Sequence, residues 1–350
     1  MKYPLIFTAA ILEKNRSPLV FREITFNGPL KDGQVLVKLF YSGICGKQIE
    51  EIDGLGGPDP FLPHMLGHEG TGEVLHIGPE VSKVKVGDTV VMHWMKGSGI
   101  HSETPIYESD DQKINAGWVT TFNEKAVISE NRLTVIPPHL DQDHAALMGC
   151  AITTALGVLT NDAKIKVGES IAIFGCGGVG LSLIQFAKLS GCYPIIGVDI
   201  HENKLKRALS LGATHTVKSD LIDFEKRVLK SNGNSNIDIC IDNTGIPEII
   251  EVAYSLTSSE GGRTVLVGVM DKNNKLKIWT YPLHFNQKII GSSGGQCNPN
   301  IDIPKIVKLV DNNLLDLKGL IGKTYNLEEI NIAIDELRAG NVSGRLMIKL

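Results

Sequence analysis

Residues 170–199 read SIAIFGCGGVGLSLIQFAKLSGCYPIIGVD. A short apolar run, Ser170 to Phe174, leads into Gly175-Cys176-Gly177-Gly178-Val179-Gly180, and helical spacing follows from Val179 to Leu189. A second apolar run, Ile195 to Val198, ends in Asp199, 19 residues past Gly180. The string G-x-G-x-x-G alone also fits a glycine-rich turn in an unliganded α/β domain. Strand, glycine loop, helix, strand and terminal carboxylate in this order predict a dinucleotide-binding βαβ unit. Gly175 permits the tight turn. Gly177, with Gly178 beside it, lets the backbone approach a pyrophosphate, whose charge the helix N-terminus stabilises. Gly180 lets the helix pack close to the strand. Asp199 can accept hydrogen bonds from the adenosine ribose and repels a 2′-phosphate, which favours NAD over NADP. Ile200 and His201 supply no arginine for such a phosphate. Lys204, followed by Lys206 and Arg207, either reaches the ribose or belongs to a solvated helix face.

Downstream the alternation continues. Asn203 to Leu211 has helical spacing and stops at Gly212, Ile237 to Ile241 reads as a strand, and Pro247 opens a helix running to about Leu256. Thr264 to Val267 and Lys288 to Ile290 read as further strands. Alternating strands and helices imply a parallel sheet covered on both faces. Upstream, residues 1–140 are strands punctuated by Gly and Pro: Val35 to Phe40, Gly70 to Ile77 and Asp88 to Met92. The polar stretch 97–117 reads as a long loop or lobe, a length that is often functional.

The 350 residues suit about two domains. With 42% hydrophobic and 21% charged residues, the chain is neither disordered nor a coiled coil. Lys plus Arg (35) against Asp plus Glu (39) gives a net charge of −4, which offers no electrostatic case for nucleic acid or an anionic membrane. No apolar run is long enough to span a bilayer. Tyr3 to Leu12 is apolar enough to pass for a short signal peptide, but Pro4 interrupts it and Glu13, Lys14 and Arg16 follow without a small-residue cleavage site, so it is read as a strand. The six scattered cysteines do not form a disulfide framework and point to a cytoplasmic chain.

Three of those cysteine and histidine positions sit in distinctive contexts. Cys45 lies in Gly43-Ile44-Cys45-Gly46, His68 in Gly67-His68-Glu69-Gly70, and Cys150 follows Gly149. Singly, each cysteine is an ordinary buried thiol. Together with Gly78, Val81, Val86-Gly87-Asp88 and the nucleotide loop, all in this order, they make the chain resemble the zinc-dependent medium-chain alcohol dehydrogenases along essentially its whole length. The resemblance implies an α/β protein: a GroES-like β-rich catalytic domain, residues 1–151 and 294–350, joined to a Rossmann doubly wound parallel-sheet domain, residues 152–293. Gly291-Ser292-Ser293-Gly294-Gly295 marks the return. It implies one catalytic zinc on Cys45, His68 and Cys150, with an open fourth position. Such a Lewis acid polarises an alcohol or carbonyl oxygen while hydride moves to or from NAD(H). Glu69 lies behind the metal in this family, where it either binds zinc transiently or serves as a structural carboxylate. By position, Thr154 and Val179 flank the nicotinamide, and Val267, Gly268 and Val269 meet its carboxamide. Arg345 reaches the pyrophosphate or makes a surface ion pair.

Departures from the family pattern bear on the substrate. Lys47 stands where a relay Ser or Thr is common; it either passes protons or binds a substrate oxygen itself, or points outward. Gln48 stands where the family often has an acidic residue oriented toward the histidine ligand, and its amide oxygen can still accept from the imidazole N–H; Glu50 stands where a relay histidine is common. The lobe 93–117 has no cysteine, so no four-cysteine structural zinc is expected; a His/Asp site on His93 and His101 has no supporting spacing. Trp94 and Trp118 are either pocket walls or core. The expectation is an NAD-dependent, zinc-containing oxidoreductase acting on a small alcohol or carbonyl compound, with a polar polyol, sugar or cyclitol favoured. The alternatives are a zinc-free medium-chain reductase and a non-catalytic NAD-binding protein. The family implies a homodimer or homotetramer through the Rossmann sheet edge, with which Thr264 to Val267 is compatible.

Overall fold

The computed structural model describes residues 2–220, 222–340 and 342–350. A six-stranded parallel sheet runs in the order His215–Lys218, Ile195–Asp199, Ile171–Phe174, Ile239–Asp242, Arg263–Leu266, Lys288–Gly291. Alternate residues of one strand point to opposite faces. Accordingly Ile171 and Ile173 join one apolar cluster with Leu181 and Ile184 of the helix Gly178–Leu189. Ala172 and Phe174 join another with Ala253 and Leu256 of the helix Pro247–Leu256. The strand order reverses between Ile171–Phe174 and its neighbour Ile239–Asp242, and a crevice at the carboxyl ends of such a pair is where doubly wound sheets take ligands.

The β-rich part has two units. A closed barrel joins Leu5–Leu12, Val20–Phe26, Ile106–Ser109, Gln112–Asn115 and His64–Met65. A seven-stranded sheet is built on Gln34–Ile44, which pairs with Glu69–Ile77, Lys125–Ser129 and the C-terminal strand Arg345–Lys349. The last pairing sets Leu346 opposite Ile44 and so brings Arg345 beside Cys45. The chain end therefore returns to the β-rich part.

Two expectations need correction. Residues 97–117 are not one long loop: they contain the hairpin Ile106–Ser109 and Gln112–Asn115, turned by Asp110 and Asp111, both at positive φ. Tyr107 and Ile114 are buried in the barrel core while Glu108 and Lys113 point out. Four-residue strands give too little alternation to be read alone, and an Asp-Asp pair is a weak turn signal beside Asn-Gly. Also, Arg263–Leu266 is not the sheet edge, because Lys288–Gly291 pairs outside it.

Candidate active site

Each metal-capable side chain is set by tight local packing. Cys45 caps the helix Gly46–Asp53 at the end of the strand Gln34–Ile44. His68 follows Gly67, which has φ +94 and where a Cβ would collide with Thr121. Gly149, just before Cys150, lies so close to the Met92 carbonyl and to Glu69 that a Cβ there would collide. These approaches explain the glycines that precede His68 and Cys150 in sequence.

The Cys45 and Cys150 sulfurs and a ring nitrogen of His68 all lie within 4.8 Å of one another. The His68 Nδ1 meets the Gln48 side-chain amide, while the buried Nε2 has no hydrogen-bond partner among the described residues. Two thiols and an unpartnered imidazole nitrogen form a soft S₂N donor set that fits zinc. Hydrogen bonding from Cys150 holds the Cys45 thiol well below its ordinary pKa, helped by Arg345 and His68; Cys150 is correspondingly raised. Burial disfavours the His68 imidazolium, but the Cys45 thiolate outweighs it and raises His68. The lowering at Cys45 is in the direction that favours the thiolate form that metals bind.

Glu69 is fully buried and does not join that cluster. One carboxylate oxygen lies 2.9 Å from Arg345 Nε, and the other accepts from the Ala151 N–H at 3.3 Å. Burial raises its pKa in spite of Arg345. Arg345 is itself buried, which corrects the surface ion pair weighed for it. Its guanidinium lies between Glu69 and the glycine loop, against Gly178, and its Nη2 has no partner among the described residues.

A cleft of about 510 Å³ has Cys45, Lys47 and Arg345 in one part of its lining and the glycine loop, Asp199 and Lys204 in another. Gly175 has φ +91, and a Cβ on Gly180 would strike the Gly175 carbonyl. At Gly177 a Cβ would meet nothing within 4 Å, so the loop presents open space over the helix Gly178–Leu189. That is a cradle for a pyrophosphate. Asp199 is buried and accepts from the Cys176 N–H at 2.8 Å and the His201 N–H at 2.9 Å, which fixes its carboxylate at the cleft. Val179, Val267, Gly268 and Val269 line the same cleft; the N–H groups of Val267 and Gly268 both donate to the Asp242 carbonyl. Lys47 lines it too and pairs with Glu50 at 2.9 Å. Thr154 is buried on the helix Ala151–Gly157, its N–H donating to the Cys150 carbonyl; it is not part of the cleft lining.

Neither Trp94 nor Trp118 lines this cleft. Trp94 packs against Gly294, and Trp118 is exposed, with the Arg132 guanidinium 4.8 Å from its ring centre. His93 is buried and bonded to the Met95 carbonyl (2.8 Å) and Thr134 (3.0 Å); burial pushes it down to about 4, which keeps it neutral. Sequence reasoning missed Asn243, Thr244 and Ser219, which also line the cleft. Asn243 and Thr244 follow the strand Ile239–Asp242, and the buried Asp242 carboxylate shapes that turn by accepting from the N–H groups of Thr244 and Gly245, both at 3.0 Å. The Asp-Asn-Thr-Gly string at a strand end was the available signal. Ser219 follows the missed strand His215–Lys218.

Comparison with known proteins agrees with this geometry. Residues 31–138 match the alcohol dehydrogenase GroES-like domain, and residues 178–312 match the zinc-binding dehydrogenase family. Alcohol dehydrogenase 6 of Peromyscus maniculatus is 32% identical over 95% of both chains. The S-(hydroxymethyl)glutathione dehydrogenase of Escherichia coli is 28% identical over 95% of this chain and 96% of that one. Among solved structures, an alcohol dehydrogenase zinc-binding domain protein from Burkholderia ambifaria superposes with a TM-score of 0.90 at 25% identity, covering 99% of this chain and all of that one. Benzyl alcohol dehydrogenase from Acinetobacter calcoaceticus gives 0.88 at 26% identity, covering 99% of each. The fold and site define an oxidoreductase with a GroES-like part and a Rossmann part. The chain belongs to the zinc-containing medium-chain alcohol dehydrogenase family.

Proposed function

We propose that this protein is an NAD-dependent, zinc-containing dehydrogenase that interconverts a polar polyol, sugar or cyclitol with its carbonyl product. The observation that carries the reading is the shared cleft: Cys45 of the metal-capable cluster and the glycine loop with Asp199 line one cavity. Cys45, His68 and Cys150 would hold one zinc, which supplies Lewis-acid polarisation of the substrate oxygen. The residues do the rest. Gly177 and Gly178 seat the pyrophosphate, Arg345 adds its charge beneath that loop, and Asp199 holds the ribose and disfavours a 2′-phosphate. Lys204, half-buried at the cleft, reaches toward the same ribose. Val179 and Val267 to Val269 supply the wall for the nicotinamide, with Thr154, on the helix that follows Cys150, beside the ring. Glu69 stays a buried carboxylate that anchors Arg345.

Lys47 and Glu50 support the polar substrate. A charged donor and a charged acceptor at the cleft beside Cys45 match a substrate carrying several hydroxyls, and Lys47 is placed to hold a proton or a substrate oxygen. We assign the domains as 1–151 with 294–350, and 152–293. The assembly is taken as a homodimer or homotetramer. A cytoplasmic location fits six unpaired cysteines, five of them buried.

The test has three parts. Cys45→Ser, His68→Ala and Cys150→Ser should each abolish turnover while NADH fluorescence titration stays near wild type; unchanged turnover would overturn the zinc reading. Elemental mass spectrometry should find about one zinc per chain; near zero after metal-replete preparation without chelators points to the zinc-free reductase or a non-catalytic protein. A kcat/KM panel should favour polyols, and much faster oxidation of simple aliphatic alcohols would remove the substrate assignment.

A further inference from the structure

Gln48 is buried at 1% exposure, and its amide faces two nitrogens at once. The Cys45 backbone N–H donates to Oε1 at 2.8 Å. On the other side Nε2 meets the His68 Nδ1. The remaining ring nitrogen of His68, Nε2, is buried and has no hydrogen-bond partner among the described residues; with Nδ1 taken by Gln48, it is the nitrogen left for a metal held with the two thiols. In this arrangement the amide NH₂ donates to Nδ1, a pattern that matches the neutral imidazole tautomer with its proton on Nε2.

A metal needs the opposite tautomer. A neutral histidine that ligates through Nε2 carries its proton on Nδ1. The amide then faces two N–H donors, the Cys45 backbone and Nδ1, with a single oxygen. Turning the amide over does not help, because its NH₂ then meets the other donor. A carboxylate of the same length would accept from both. The oxygen has two lone pairs, but the two partners lie at opposite ends of the amide, so in either orientation of the amide only one of the donors meets it.

We propose that Gln48 is a positioning residue that lowers the zinc affinity of this site by opposing the His68 tautomer that ligation requires. The proposal rests on the zinc reading above. It makes metal loading in this chain a competition between the amide's two demands, where histidine ligands ordinarily donate Nδ1–H to an acceptor that strengthens them.

Competition with a chromophoric chelator for Zn²⁺, on the full-length protein, tests it. Gln48→Glu keeps the side-chain length and supplies two acceptor oxygens; it should tighten zinc binding by about tenfold or more. Lys47→Gln changes the charge by the same single unit one residue away without touching the amide, and should move affinity by less than about threefold. Nitrogen-15 NMR of chelator-stripped wild-type protein at alkaline pH, where the imidazole is neutral, should show the His68 proton on Nε2, and zinc should transfer it to Nδ1. Equal gains in the two variants, no gain in Gln48→Glu, or a stripped wild-type protein already protonated on Nδ1 would each overturn the proposal. The NMR result stands on wild-type protein even if Gln48→Glu misfolds. If neither wild type nor Gln48→Glu binds zinc, the zinc reading itself fails and this inference falls with it. If wild type binds zinc and Gln48→Glu binds it no better, only the inference fails.

Discussion

A single methyl group separates the roles of two glycines in the nucleotide loop. At Gly180 a Cβ would press on the Gly175 carbonyl, a backbone atom that cannot turn away. Gly180→Ala should therefore lose about 1–3 kcal/mol of stability, the usual range for forced overpacking, visible as a lower midpoint in urea. At Gly177 the same methyl meets nothing. Gly177→Ala should keep the wild-type midpoint yet weaken NADH binding by about tenfold, because the methyl occupies the cradle that the pyrophosphate needs. Equal loss of stability in both variants would show that the open space at Gly177 is not held free in the folded protein. Asp199 belongs to the same scale. Its two carboxylate oxygens are fixed by the Cys176 and His201 N–H groups, so it cannot swing away from a 2′-phosphate, and NADPH should bind at least tenfold more weakly than NADH in a direct titration.

Between elements, Glu169 and Arg263 tie the starts of two strands that are not neighbours, Ile171–Phe174 and Arg263–Leu266. The pair is bidentate, at 2.8 and 2.6 Å, and mostly buried. Burial pushes the Glu169 pKa up, but the Arg263 hydrogen bonds and the Lys166 N–H outweigh it, and the folded carboxyl lies below its ordinary value of 4.5. A folded pKa that is depressed stabilises the protein above the ordinary carboxylate value, and the stabilisation disappears as pH falls through the folded value. Glu169→Gln should thus be less stable than wild type by about 1–3 kcal/mol at neutral pH, with the gap closing in acid. Urea unfolding of both proteins across that range checks it; a gap independent of pH would mean that packing, not charge, holds the junction. This level also marks the limit of what the sequence conveys. Ile171–Phe174 and Ile195–Asp199 are buried on both faces and read as continuous apolar runs, and the helix Pro247–Leu256 starts at a proline that fits its first position. The strand His215–Lys218 buries only Val217, and the hairpin in 106–115 has two inward residues, Tyr107 and Ile114, so neither had a pattern to read. The three-member metal cluster was legible through its glycine contexts. The Gln48 contact with His68 was legible through the family resemblance. The bond from the Cys45 N–H to Gln48 and the burial of Arg345 were not, because they depend on the helix that Cys45 caps and on pairing of the C-terminal strand.

For the whole molecule, the decisive feature is the outer strand of the parallel sheet. Lys288–Gly291 pairs only with Arg263–Leu266 among the described residues, which leaves its other side open. The segment just before it exposes three aromatic rings: Trp279 stacks on Tyr281 with centroids 5.5 Å apart, and Tyr281 meets Phe285 at 5.0 Å. An open strand edge bordered by a contiguous apolar patch is a surface that soluble proteins ordinarily cover. A second copy related by a two-fold axis would cover both at once, since antiparallel pairing of one edge with its own copy is self-complementary. The expected outcome is that the wild-type protein sediments as a dimer or tetramer. The double variant Trp279→Asp with Phe285→Asp places like charges across that axis and should shift it toward monomer. Neither substituted side chain lines the nucleotide cleft, so zinc content and NADH binding of the variant should match wild type. Dissociation with both retained would show that the two chemistries are complete within one chain. A variant that keeps the wild-type mass would move the interface away from this edge, and the aromatic cluster would then need another partner.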